Sequence, residues 1–203
     1  MIFAIFAWGL IYGCAATCGV VLAYFICSRL TRLEGGPAPV RLPPAVPIAV
    51  FAVLGMFLAA RQGQISQLGI VALLGVPFIG AWYSDARTGI IPDVFTLIPL
   101  AIVAVGVFLN HTWWVAISGA VVFAAFALAA LFSKGRGMGW GDAKLATLAG
   151  TVLGLQSSLL ALGVACFAAT LVSVIRNRGT QPIAFAPYIV VTVLITIGIS
   201  VHA

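Results

Sequence analysis

The chain has 203 residues, 63% of them apolar and 7% charged, with a mean hydropathy of +1.22. Those values exclude an ordinary soluble domain and imply an all-α polytopic membrane protein. Ten Lys and Arg against four Asp and Glu leave a formal charge of +6, but no soluble module presents the clustered basic face that nucleic acid would require.

One crossing takes about 20 apolar residues, so the length allows about six to eight transmembrane helices, with short loops in a single integral-membrane domain over 1–203. The first apolar run, Ile2 to Cys27, has no basic residue before it and is too long for the core of a signal peptide, which predicts a retained helix. A short loop over 28–43 follows, carrying the breakers Gly35-Gly36-Pro37-Ala38-Pro39. Further runs are Pro44 to Ala60, Ile65 to Tyr83, Val94 to Leu109, Trp113 to Phe132, Ala143 to Leu155, Ser158 to Ile175 and Ile183 to Val201, the sixth of the eight being short. Turn residues separate them at Arg61-Gln62-Gly63-Gln64, Asn110-His111, Gly135 to Gly141, Gln156-Ser157 and Arg176-Asn177-Arg178-Gly179.

Basic residues mark the cytoplasmic side of short loops. Eight crossings put Arg29, Arg32, Arg41, Arg87, Lys134, Arg136, Lys144, Arg176 and Arg178 on one side and only Arg61 on the other. That asymmetry predicts both termini outside, and it accounts for the positive charge by topology, with attraction to anionic lipid as a further consequence.

Three of the four acidic residues fall in two motifs, Ser84-Asp85-Ala86-Arg87-Thr88-Gly89-Ile90-Ile91-Pro92-Asp93 and Gly139-Trp140-Gly141-Asp142-Ala143-Lys144. An acid at the edge of a hydrocarbon slab is costly and reads as functional. The topology sets Asp85, Asp93 and Asp142 at the same membrane face, Asp85 just after the aromatic end of the third helix and Asp142 where a glycine-rich loop enters the sixth. Glycines at 135, 137, 139 and 141 let that loop approach another chain closely. The start of a helix favours an ionised Asp142, whereas Asp85 has no such help, so the two acids are expected to differ in proton affinity. Two adjacent carboxylates share a proton; one then activates a water while the other donates to a scissile carbonyl. This aspartyl-protease chemistry needs neither a metal nor a cofactor.

Those residues resemble the type IV prepilin peptidases, membrane aspartyl proteases of the GxGD class. The resemblance rests on Asp85 followed by Ile91-Pro92-Asp93 and on Gly139-x-Gly141-Asp142-x-Lys144-Leu145, and Ile183-Ala184-Phe185-Ala186-Pro187-Tyr188 is similar to the family's Ile-Pro-Phe-Gly-Pro-Phe segment. It implies a catalytic pair Asp85 and Asp142, with Gly139, Gly141, Lys144, Pro92 and Asp93 as supporting motif residues. It also implies cleavage of the basic leader of prepilins or pseudopilins at the cytoplasmic face of a bacterial inner membrane. Bifunctional relatives carry two Cys-x-x-Cys pairs in an insert after the first helix. The loop at 28–43 is short and holds no cysteine, which implies a peptidase without the methyltransferase activity.

Other residues have plainer readings. Asp93 follows a proline and is expected to cap the fourth helix; Lys144 either anchors topology or tunes Asp142, and Arg87 is read as topology. Cys14, Cys18, Cys27 and Cys166 read as small buried thiols without metal-binding spacing. Gly9-x-x-x-Gly13 and Gly150-x-x-x-Gly154 read as packing, Trp82, Trp113 and Trp114 as interfacial aromatics, and His111 and His202 lie away from the acids. A presenilin-like or preflagellin-type intramembrane protease is an alternative. A small proton-coupled transporter is another, opposed by the absence of charge at any helix centre.

Overall fold

Eight α-helices and no strand make up the described residues of the computed structural model, which are 2–34, 43–61, 65–132, 138–175 and 184–200. They are α1 (Ile2–Glu34), α2 (Ala45–Ala60), α3 (Ile65–Thr88), α4 (Val94–Asn110), α5 (Trp113–Phe132), α6 (Trp140–Leu153), α7 (Leu155–Ile175) and α8 (Ala186–Ser200). The predicted positions Gly35 to Arg41, Gln62 to Gln64, Lys134 to Gly137, Arg176 to Ile183 and His202 lie outside the described residues.

Helix ends depart from the hydropathy boundaries for local reasons. α1 continues past Cys27 because hydropathy falls there but helix propensity does not: Ser28 Oγ donates to the Phe25 carbonyl at 2.8 Å, Arg and Leu are good helix formers, and the first breaker is Gly35. The predicted loop at 28–43 therefore begins as helix. α3 runs through Asp85 to Thr88, so Asp85 lies inside its last turn, not beyond it. Gly154, with φ +74°, ends α6, and α7 starts at Leu155. The break falls there because glycine adopts this backbone without a Cβ clash, whereas Gln156 and Ser157 continue the helix.

Four helices are long and apolar enough to cross a bilayer, over Phe3–Arg29, Leu68–Thr88, Trp113–Phe132 and Leu155–Ile175; Ala45–Ala60, Val94–Asn110 and Ala186–Ile199 are apolar and shorter. Large side chains such as Phe3, Trp114, Phe132 and Phe167 stand on the outside, an apolar exterior that water would oppose and lipid accepts. The protein is a polytopic membrane protein.

The chain divides into two compact units, Met1–Ile90 with Ile197–Ala203, and Ile91–Thr196. In the first, α1 packs on α2 and α3 through glycines that let backbones close in: Gly9 lies under Met56, Gly19 faces the Val76 carbonyl, Gly55 receives the Tyr12 ring and Gly75 the Phe51 ring. Tyr12 is fully buried and satisfies its hydroxyl by donating to the Leu68 carbonyl at 3.0 Å. In the second unit α6 touches α4, α5 and α7. Ala143, Leu145, Ala146, Leu148 and Ala149 are buried, the pattern of a helix enclosed by its neighbours. Gly119 of α5 meets Thr151, and Gly150 of α6 meets Val122. Of the two glycine pairs, Gly9 and Gly13 both face α2, while Gly150 packs and Gly154 turns.

Two expectations are corrected. Trp82 is buried within the first unit's sequence and not interfacial, unlike the exposed Trp113 and Trp114. Cys14 and Cys18 are exposed on α1; Cys27 is buried and Cys166 half-buried. Their i, i+4 spacing sets Cys14 and Cys18 on one helix face, and that face is outward.

Candidate active site

The first motif is the C-terminal end of α3, locked onto itself. The amide N–H of Gly89 donates to the Asp85 carbonyl at 2.8 Å, and Gly89 has φ +69°, the left-handed cap that stops a helix. Thr88 Oγ1 donates to the Ser84 carbonyl at 2.9 Å. Ser84, with no exposed surface, donates its hydroxyl to the Ile90 carbonyl at 2.6 Å; its Oγ also lies 3.1 Å from Cys27 Sγ. The turn after the helix is thus tied to the buried residue next to Asp85. Asp85 itself is buried.

Arg87 stands in the same last turn, where a cation complements the helix dipole. Its guanidinium lies 4.8 Å from the Tyr24 ring centroid and 5.9 Å from that of Tyr83, and Nη1 donates to the Tyr83 hydroxyl at 3.1 Å. These aromatic contacts fix the side chain against α1. Ser84, Tyr24 and Tyr83 were not singled out from the sequence; the contacts of Ser84 with Cys27 and of Arg87 with Tyr24 join distant positions and leave no periodic signal, whereas Tyr83 and Arg87 stand at the i, i+4 spacing of helix neighbours.

The second motif opens α6. Gly139 is the N-cap, with extended φ −87° and ψ 157°, and its N–H donates to Asp142 Oδ2 at 3.0 Å. This is the half of a capping box that a glycine cap permits: the carboxylate three residues on reaches back to the cap's N–H. The other oxygen, Asp142 Oδ1, is buried and has no hydrogen-bond partner among the described residues. Asp142 lies ahead of the apolar stretch of α6, outside the candidate spans. Burial pushes its carboxyl above the ordinary carboxylate value, against the lowering by the Gly139 N–H. The expectation that the helix start favours the ionised form is therefore reversed, because desolvation of a carboxylate with one unpaired oxygen outweighs one amide donor.

Gly141 is needed for space. A Cβ at that position would sit 2.9 Å from Ile91 Cβ, closer than real carbons approach. Ile91 and Pro92 are buried, whereas Asp93 is exposed. Asp93 occupies the N-cap position of α4 in helical backbone geometry, and its side chain makes no cap. Its Oδ1 accepts instead from Lys144 Nζ at 2.6 Å. The predicted side-chain cap of α4 by Asp93 is thus corrected to an ion pair with Lys144 of α6.

The structure brings Gly139 to Asp142, Gly141 to Ile91 and Lys144 to Asp93. Asp85 belongs to the first unit and Asp142 to the second. Among the described residues no group of three or more His, Cys, Asp or Glu side chains could hold a metal ion. No curated protein and no solved structure matches the chain. The family model of the type IV leader peptidase family, however, matches residues 72–174, which contain both aspartate motifs in order, and the chain belongs to that family of peptidases.

Proposed function

We propose that the protein is an aspartic endopeptidase that removes the basic leader of type IV prepilins or pseudopilins at the cytoplasmic face of a bacterial inner membrane. The carrying observation is Asp142, a buried carboxyl with one unpartnered oxygen and a raised proton affinity, in the stretch matched by a peptidase family. In the working pair Asp142 holds the shared proton and donates it toward the scissile carbonyl oxygen, while Asp85 takes a proton from the attacking water. The water oxygen bonds to the carbonyl carbon as the C=O π pair takes the proton from Asp142, giving a gem-diol; on collapse Asp85 gives its proton to the nitrogen, the C–N bond breaks, a gem-diol hydroxyl returns a proton to Asp142 and the amine leaves. Gly139 orients Asp142 by its N–H, and Gly141 allows the close approach to Ile91.

The excess of basic residues around the motifs supports the cytoplasmic side. A basic leader would lie near the same anionic leaflet. The 28–43 segment without cysteine favours a peptidase that does not methylate its product. The test is to reconstitute the protein in liposomes with a prepilin and sequence the new N-terminus. Release of the leader, read as a single new N-terminus on the prepilin, is expected; a substrate that stays intact contradicts the proposal.

A further inference from the structure

We propose that Asp93 and Lys144 are positioning residues, whose ion pair works with the Ile91–Gly141 contact as a clasp that holds the first turn of α6, and so the Asp142 carboxyl, in place for cleavage. The inference rests on the peptidase reading for its catalytic consequence, though not for its geometry. Two features converge on one short stretch: the Ile91 side chain fills the space that a Cβ at Gly141 would need, and the Asp93 carboxylate meets the Lys144 ammonium at 2.6 Å. They come from residues two apart on the strip leading into α4 and reach residues three apart at the start of α6, bracketing Asp142 on both sides in sequence.

The choice made by Asp93 is informative. It stands where an aspartate would ordinarily cap its own helix, yet its carboxylate leaves that helix uncapped and crosses to α6. The pair is partly exposed, with 59% of the Asp93 and 29% of the Lys144 side chain accessible, and such pairs add little to global stability. Its effect belongs to local geometry. Among the described residues the Asp142 carboxyl accepts a hydrogen bond from the Gly139 N–H alone, and a carboxyl that must meet a carbonyl oxygen loses rate when it is displaced.

The experiment compares wild type, Asp93→Asn, Lys144→Met, Lys144→Arg and the exchanged pair Asp93→Lys with Lys144→Asp. Each is assayed for kcat and KM on a prepilin and for hydrogen exchange at the Gly139 and Ala143 amides, whose bonds close the turn. The clasp predicts faster exchange and about fivefold lower kcat at unchanged KM in Asp93→Asn and Lys144→Met, the upper range for a partly exposed pair. Both are restored in Lys144→Arg and in the exchanged pair. Wild-type exchange and kcat in the two neutral variants would overturn it, as would neutral variants that are slow but not rescued by exchanging the charges. If even the wild type leaves the prepilin uncut, the peptidase reading fails, and the exchange arm alone decides the clasp: rescue of protection upholds it and no change in protection overturns it.

Discussion

Asp142 is the residue on which opposing influences are most evenly set. A backbone donor and a helix start favour its charge, burial opposes it, and burial wins. An acid whose proton affinity is raised by folding stabilises the fold while protonated, fully so below the unfolded value of 3.8, and that contribution is lost as pH rises through the folded value. Asp142→Asn is therefore expected to raise Tm at neutral pH, with the gap closing as pH falls toward 3.8; thermal melts in detergent across that window check it. A lower Tm for the amide at pH 7 would show that the charge is welcome. Asp85 and Asp142 stand out in the sequence because charge is so scarce in this chain. The Asp93–Lys144 pair was not legible, because the residues lie 51 positions apart and only packing brings them together. The raised affinity of Asp142 was not legible, because the same helix start seen without its burial argues for the opposite sign.

Elements were easier to read than their ends. Each of the eight helices overlaps an apolar run, because a bilayer demands length and apolarity that few other constraints imitate. The ends follow propensity and backbone conformation instead: α1 runs on through charged residues to Glu34, and α6 stops at Gly154. Two glycines make this testable. Gly154 has φ +74°, so Gly154→Ala is expected to cost about 1–3 kcal/mol by straining the turn between α6 and α7. Gly163 lies within α7 with nothing near its missing Cβ, so Gly163→Ala is expected to be neutral or stabilising by up to about 1 kcal/mol. Melting curves of the two variants check the contrast; equal shifts would mean that the backbone at 154 is not strained by a side chain. Glycine also sets how closely helices pack. Gly75→Ala would collide with the Phe51 ring, and the loss of stability is expected to be smaller when Phe51→Ala is already present, read as a double-mutant cycle.

At the scale of the whole molecule, composition alone identified a membrane protein, and the order of two motifs identified the kind of peptidase. The division into two units was not legible, because helix periodicity says which residues are apolar and not which helices share a core. The orientation in the membrane is testable on intact cells with a membrane-impermeant thiol reagent, using cysteines at two exposed positions, Arg61 and Ile90. Arg61→Cys is expected to be labelled from outside and Ile90→Cys only after the cells are opened; the reverse pattern would invert the topology. The central claim is that Asp85 and Asp142 together perform the cleavage. Its most direct measurement is leader removal from a co-expressed prepilin by the wild type, Asp85→Asn and Asp142→Asn, with equal accumulation of all three verified. A processed pilin is expected with the wild type and an uncut one with either variant, whereas processing by both variants would contradict the paired-aspartate mechanism.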